Sequence, residues 1–156
     1  MPVKPTPDGY HSVTPYLVAR NAADAISFYN KAFLAETLLV MNTPDGGTAH
    51  AEIKIGDSHV MLTDEYPDMG FLSPESLGGA GISLMIYVEN VDDFFANAIE
   101  CGATELRPVT DQFYGDRAGT LKDPFGHTWT IATHKEDLTE EELNQRMQAY
   151  FEQGEC

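Results

Sequence analysis

Hydrophobic spacing in the first half of the chain changes from that of a strand to that of a helix and then back to strands. Apolar residues in His11–Arg20 predict a strand, and Asn21 is expected to cap a helix that runs to about Leu34. That helix carries an apolar stripe at Ala22, Ile26, Tyr29 and Phe33. Three further strands are predicted, separated by tight turns at residues 43–47 and 56–57, and they span Glu36–Asn42, His50–Ile55 and Ser58–Thr63.

The same order of elements returns after residue 81. Residues 64–81 carry Pro and Gly without periodicity and predict a linker. Beyond the linker, the pattern predicts a strand at Ile82–Val88 and a helix at Asn90–Cys101, with Phe94, Phe95, Ala98 and Ile99 inward and Gly102 in a left-handed conformation at its end. The last three strands are predicted at Thr104–Val109, Arg117–Lys122 and His127–Thr133.

Matching positions in the two halves indicate a duplication. Phe28-Tyr29 matches Phe94-Phe95, Thr14 matches Ser83, and Gly56 matches Gly126, at offsets of 66, 69 and 70 residues. The prediction is an α+β fold of two tandem βαβββ modules that form an incomplete eight-stranded barrel around a cleft, plus a C-terminal helix. The corresponding division is an N-terminal arm (1–10), a first module (11–64), a linker (65–81), a second module (82–134) and an acidic C-terminal helix (135–156).

The final helix has a clear start signal. Thr139 is a candidate N-cap with Glu142 three residues later, and an apolar stripe follows at Leu143, Met147 and Tyr150 or Phe151. Packing of this stripe on its own domain is the favoured interpretation, and a dimer contact is the main competitor.

Composition narrows the class of protein. The chain has 42% hydrophobic residues and no apolar run long enough to cross a bilayer, so we expect a cytoplasmic globular protein. A formal net charge of −16 disfavours nucleic acid and anionic membranes. A solubility surface is the favoured reading of that charge, and attraction of cationic ligands is the alternative. Cys101 and Cys156 are expected to be reduced thiols.

Several motifs together resemble those of the vicinal oxygen chelate superfamily, the group of glyoxalases, bleomycin-resistance proteins and extradiol dioxygenases. They are the turn Asp123-Pro124-Phe125-Gly126-His127 before the last strand, the helical Phe28-Tyr29 pair and the repeat itself. The segments 64–67, 73–74 and 111–117 are similar to those of its PhnB-like branch. The resemblance covers about residues 11–134.

The resemblance also implies where a divalent metal would bind. Metal-dependent members place four His, Gln or Glu ligands on the first and last strands of each module, which correspond here to Thr14, Val60, Ser83 and Thr130. None of these is a usual ligand of a first-row metal. We therefore expect no cofactor, and the alternative is a divalent metal held by an atypical set of residues.

Strand alternation predicts which side chains line the cleft. Thr14 implies Tyr16 and Val18, Ser83 implies Met85 and Tyr87, and Thr130 implies Thr128 and Ala132, which leaves Trp129 and Ile131 towards the helices. His50 and Glu52 are candidate catalytic residues, a general base and its orienting carboxylate. The favoured alternative for this pair is a hydrogen bond on an exposed face. Phe113, Tyr114 and Arg117 are expected at the rim, where Arg117 either binds an anionic group or pairs with Asp111 or Asp116.

The first functional hypothesis is a glyoxalase/bleomycin-resistance-like protein without the usual metal ligands, which binds a small molecule in the cleft and forms a homodimer. It is motivated by bleomycin-resistance proteins, which are acidic, metal-free dimers. The second is a metal-dependent, glyoxalase-like lyase or isomerase, or a dioxygenase, with an unusual ligand set. A structural or interaction module is the third.

Overall fold

Four strands of the first half form one sheet with a helix on one of its faces. The computed structural model describes residues 2–154. The elements are β1 (Tyr16–Ala19), α1 (Ala22–Ala32), β2 (Glu36–Asn42), β3 (Thr48–Ile55) and β4 (Ser58–Asp64). The strand order is β1-β4-β3-β2. β1 pairs with β4 in parallel, and the other neighbours are antiparallel.

The second half repeats this topology. Its elements are β5 (Ser83–Tyr87), α3 (Val91–Glu100), β6 (Thr104–Asp111), β7 (Asp116–Lys122) and β8 (Thr128–His134), in the strand order β5-β8-β7-β6. β5 again pairs in parallel with the last strand, β8. The prediction of two βαβββ modules is therefore confirmed, as two four-stranded sheets rather than one closed barrel.

Helix capping shows that the duplication extends to single hydrogen bonds. Asn21 accepts the N–H of Asp24 at 3.0 Å, and Asn90 accepts that of Asp93 at 3.1 Å. The last strand of each module then binds the first residue of the helix. Asp64 Oδ1 accepts the Ala22 N–H at 2.7 Å, and Thr133 Oγ1 accepts the Val91 N–H at 2.9 Å. The members of each matching pair are 69 residues apart, so these bonds fix the register of the repeat.

The Phe28-Tyr29 pair contacts Phe125 of the turn before the last strand. The chain divides into two units, and residues Pro124–His127 belong with Met1–Gly81 in the first. There the Phe125 ring lies 6.1 Å from that of Phe28 and 6.3 Å from that of Tyr29, between ring centroids. At the start of the same turn, the buried Asp123 carboxylate accepts the indole N–H of Trp129 at 2.9 Å. Aromatic packing therefore accounts for both motifs.

Some element boundaries differ from the prediction. β1 begins at Tyr16 rather than at His11, because Pro15 has no N–H to donate and limits the ladder at that point. Helix α1 ends at Ala32, and Leu34 takes a left-handed φ of 56°. The predicted linker contains a 3₁₀ turn (Pro67–Met69) and a short helix, α2 (Pro74–Leu77). There the Glu65 carboxylate accepts the N–H of Ser73 at 3.0 Å.

The C-terminal helix starts where the sequence predicts. It is α4 (Glu140–Glu152), and Thr139 accepts the Glu142 N–H at 3.2 Å. No described residue of α4 is fully buried, and Met147 and Phe151 of the apolar stripe are 48% and 54% exposed. Attachment to the second unit comes from Tyr150, whose ring centroid is 5.0 Å from that of Phe113, and from Arg146, which donates to Glu136. The apolar stripe of α4 therefore packs on its own domain only in part, through Tyr150, while Met147 and Phe151 are exposed.

Two further predictions concern the membrane and the thiols. Among residues 2–154, no helix is long and apolar enough to span a bilayer. Cys101 is a free, half-buried thiol, and Cys156 lies outside the described residues.

Replacing Thr133 with Val is expected to destabilise the protein. The substitution keeps the size of the side chain but removes the acceptor of the buried Val91 N–H and the donor to Val88 O, which lies 2.8 Å away. Loss of partners for buried polar groups costs about 1–3 kcal/mol. Thermal unfolding should show a decrease in Tm of about 2–4 °C for each kcal/mol lost. Thr104→Val, at an exposed edge position, is the control and should leave Tm nearly unchanged.

Candidate functional site

The first sheet has one buried face and one open face, and β3 contributes to both. Ala51, Ile53 and Ile55 are buried on the face that α1 covers. Since strand residues alternate between faces, His50 and Glu52 lie on the open face. The predicted alternation along β3 is confirmed.

The side chains of Tyr16, His50 and Glu52 form one hydrogen-bonded network on this open face, and Tyr10 of the N-terminal arm joins it. The Tyr16 hydroxyl lies 2.7 Å from His50 Nδ1, and His50 Nε2 lies 2.9 Å from Glu52 Oε2. The other oxygen of Glu52 accepts a hydrogen bond from the hydroxyl of Tyr10. The side chains of His50 and Glu52 are 23% and 21% exposed, so the pair is partly shielded from water. We call Tyr10, Tyr16, His50 and Glu52 the first-sheet network.

Electrostatics favour a charged carboxylate within the first-sheet network. The hydrogen bond from Tyr10, followed by that from His50, holds the pKa of Glu52 below its usual range. Burial, followed by the bond to Glu52, raises the pKa of Tyr10 to about 12. Burial and the Glu52 charge also raise the pKa of Tyr16. At neutral pH the network therefore holds one charged carboxylate and two neutral phenols, and the His50 ring links Glu52 to Tyr16.

Apolar side chains surround this network. In the ladder, Leu39 pairs with Glu52 and Met41 with His50, while Met61 lies between Glu52 on one side and Tyr16 on the other. Leu39 and Met41 are exposed, and Met61 is half-buried. A few convergent polar groups on an apolar surface are typical of sites for small organic molecules.

Two predicted ligand-binding residues of the first module lie elsewhere. Val60 is buried and pairs with Ile53, so it faces α1 rather than the open face. The predicted register was wrong by one residue, and the alternation therefore brings His59 and Met61 to the open face. Thr14 precedes β1 and contacts the carbonyl oxygen of His11 at 3.4 Å. The short β1 explains why Thr14 takes no part in the ladder.

The open face of the second sheet carries the remaining strand residues of the prediction. Ser83 pairs with Thr128, Met85 with Thr130, and Tyr87 with Ala132, while Trp129 and Ile131 are buried on the α3 side. Thr130 Oγ1 lies 3.1 Å from Thr120 Oγ1. The predicted alternation is confirmed here, whereas ligand contact by these residues stays a prediction.

A second polar cluster on this sheet includes two residues that the sequence analysis did not select as site residues. The Tyr87 hydroxyl donates to Asp116 Oδ2 at 3.0 Å, and His134 Nδ1 lies 2.7 Å from Asp116 Oδ1. Asp116 is only 5% exposed, and the hydrogen bonds that the His134 ring makes to Asp116 and to Asp137 raise the pKa of His134. A cavity of about 390 Å³ lies beside Asp116. The sequence analysis did not pair Asp116 with His134, because β7 and β8 bring them together only in the folded sheet.

The three predicted rim residues contact other side chains. Arg117 lies on the α3 side of β7, where it donates to Asp92 at 2.8 and 2.9 Å and to Asp111 at 3.2 Å. Of the predicted partners, Asp111 is confirmed and Asp116 is wrong, since adjacent strand residues point to opposite faces. Phe113 packs against the rings of Tyr114 and Tyr150.

The positions that the family resemblance assigns to a metal do not fit one. Thr14 lies outside the strand, Val60 faces the helix of its own module, and the Thr130 hydroxyl lies 3.1 Å from that of Thr120. Within residues 2–154, no group of three or more His, Cys, Asp or Glu side chains is arranged to hold a metal ion. His50 with Glu52 supplies two donors, and a protein site usually needs three or more.

Two βαβββ modules, each with an open polar face, define the class of protein. The family model described as the Glyoxalase/Bleomycin resistance protein/Dioxygenase superfamily matches residues 9–131. The chain belongs to this superfamily.

Individual relatives agree with this assignment. An uncharacterised protein of Mycobacterium tuberculosis, Rv0887c, is 38% identical over 139 residues, covering 87% of this chain and 82% of its own. Two solved structures share the fold. TioX from a Micromonospora species has a TM-score of 0.62 at 22% identity, with 83% of this chain and all of its own covered. The PhnB protein of Bacillus cereus has a TM-score of 0.62 at 21% identity, with 79% and 99% covered.

Replacing Glu52 with Gln is expected to destabilise the protein at neutral pH but not in acid. Because the folded pKa of Glu52 is depressed, its ionisation stabilises the fold above the unfolded pKa of about 4.3, and this contribution is lost as pH falls through the folded pKa. The Tm difference between wild type and Glu52→Gln should therefore shrink from pH 7 to pH 3. Glu36→Gln, at an exposed position on β2, is the control. A Tm difference that is the same at both pH values would contradict this assignment.

Proposed function

We propose that this protein binds a small organic molecule on the open face of its first sheet, without a metal ion. Tyr16, His50 and Glu52 of the first-sheet network supply the polar contacts, and Leu39, Met41 and Met61 supply the apolar ones. The ligand that this surface fits is apolar or aromatic and carries a hydrogen-bond donor or a positive charge for Glu52.

The observation that supports this most strongly is the chain of contacts from Tyr16 through His50 to Glu52. Its distances, 2.7 and 2.9 Å, are those of formed hydrogen bonds, so the side chains are already oriented before a ligand arrives. Preorganised polar groups bind with a smaller loss of conformational entropy. The net charge of −16 adds long-range attraction for a cationic ligand.

A thermal-shift screen tests this proposal. Amphipathic aromatic compounds, including cationic ones of the bleomycin type, should raise the Tm of the wild-type protein. The stabilisation should disappear in His50→Ala, because this variant loses the central group of the network. His11→Ala, at an exposed position outside the network, should keep the stabilisation. Ligands that stabilise the wild type and both variants equally would show that binding occurs elsewhere.

The same network supports a second candidate function, a glyoxalase-like lyase or isomerase. In this function His50 would act as the general base: Glu52 orients Nε2, and Nδ1 would take a proton from a substrate that displaces the Tyr16 hydroxyl. Glu52 would stabilise the imidazolium that forms when His50 takes a proton. This role requires a substrate proton within hydrogen-bond reach of the ring.

Enzyme assays separate the two functions. If the protein is a binder, purified protein should show no turnover of the methylglyoxal–glutathione adduct, and its metal content after purification without chelator should be far below one ion per chain. Turnover that is lost in His50→Ala but kept in His11→Ala would instead establish the lyase. Because general acid–base catalysis contributes about 10²–10⁴-fold, the loss should be at least a hundredfold.

A further inference from the structure

The segment before β1 places one aromatic side chain on the open face of the first sheet. The Tyr10 ring stacks on His59, with 4.2 Å between ring centroids and 29° between the planes, and its hydroxyl donates to Glu52. Residues 2–9 are all exposed, whereas Tyr10 is half-buried. The sheet therefore holds this segment chiefly through Tyr10.

The backbone beside Tyr10 is also fitted to His59. Gly9 takes a left-handed φ of 83°, and a Cβ atom at this position would lie 2.8 Å from Cε1 of His59. Any larger residue would clash with the ring and strain the backbone. The chain thus passes directly over the imidazole.

Tyr10 covers the His59 ring but makes no hydrogen bond to its Nδ1 atom. Nδ1 of His59 is buried and has no hydrogen-bond partner among the residues that the structure describes. An unpaired buried polar atom is unfavourable because it has lost its hydrogen bond to water without gaining another. The phenol of Tyr10 therefore stacks on the ring and bonds to Glu52, but it leaves a polar atom beneath it that another occupant can bond.

We infer that Tyr10 occupies the position that the ligand takes when it binds. The ligand is a planar aromatic molecule with a hydroxyl or N–H donor, and it displaces Tyr10. This inference rests on the proposed function and specifies its ligand. The ring of the ligand stacks on His59, its donor group bonds to Glu52, and a second polar group reaches His59 Nδ1.

Tyr10 is part of the chain and competes with the ligand for the same position, so it lowers the apparent affinity for the ligand. The face binds a ligand in this way only in molecules from which Tyr10 has moved away, and the apparent Kd rises as that fraction falls. Removing the tyrosine side chain should therefore strengthen binding of a small molecule that resembles it.

The test uses 4-methylphenol, which has the chemistry of the tyrosine side chain, and toluene, which lacks the hydroxyl. Calorimetric titration of the full-length protein should give binding of 4-methylphenol about tenfold tighter in Tyr10→Ala than in wild type. Toluene should bind Tyr10→Ala more weakly than 4-methylphenol does. Lys4→Ala, which alters the arm away from the sheet, is the matched control and should behave as wild type. Addition of 4-methylphenol should also restore part of any Tm lost in Tyr10→Ala.

Equal affinity of wild type and Tyr10→Ala for 4-methylphenol would overturn the inference, as would equal binding of toluene and 4-methylphenol. If Tyr10→Ala does not fold, Tyr10→Phe carries the test, because it loses only the bond to Glu52 and should still bind 4-methylphenol several-fold more tightly than wild type.

A ligand whose stabilisation depends on His50 would uphold the proposed function even if 4-methylphenol fails. Without any such ligand, the proposed function fails as well.

Discussion

Burial of one face of the first sheet against α1 is the constraint on which the candidate site depends. Ala51, Ile53 and Ile55 are buried, and a strand can bury alternate residues only by turning the others the opposite way. His50 and Glu52 are therefore held on one face, two residues apart, where their side chains meet. A slip of one residue would bury the pair and expose the core. The hydrophobic packing of β3 thus sets the geometry of the polar network.

The duplication supplies two open faces, and their chemistry has diverged. The capping bonds from the last strand to the helix are kept in both halves, by Asp64 in one and by Thr133 in the other. On the open faces, the first sheet carries a His–Glu pair with two phenols, whereas the second has a buried Asp116 between Tyr87 and His134. Such a fold preserves its backbone connections while its exposed side chains change.

Residues at which local signals and packing agree were predictable from the sequence. Asn21 and Thr139 were recognised as helix caps because the capping side chain bonds within three residues of itself. The His50–Glu52 contact was also foreseeable, since both residues lie on one strand. Val60 was misplaced because the β3–β4 turn fixes the register, and the pattern of β4 alone fits either phase. Tyr10 joins the first-sheet network, and stacks on His59, only through contacts between segments that are far apart in the sequence.

By itself, the sequence determined the order of elements, the repeat, the superfamily and the faces of β3, β5 and β8. The order of elements and the faces of the strands depend on periodicity and on turns, which act over a few residues, whereas the superfamily was indicated by the resemblance of several motifs. Tertiary structure alone decided that Arg117 pairs with Asp92, that Asp116 meets His134, and that the arm lays Tyr10 over His59. Each of these contacts joins segments whose distance apart is set by strand pairing and chain path, and no local pattern encodes that distance.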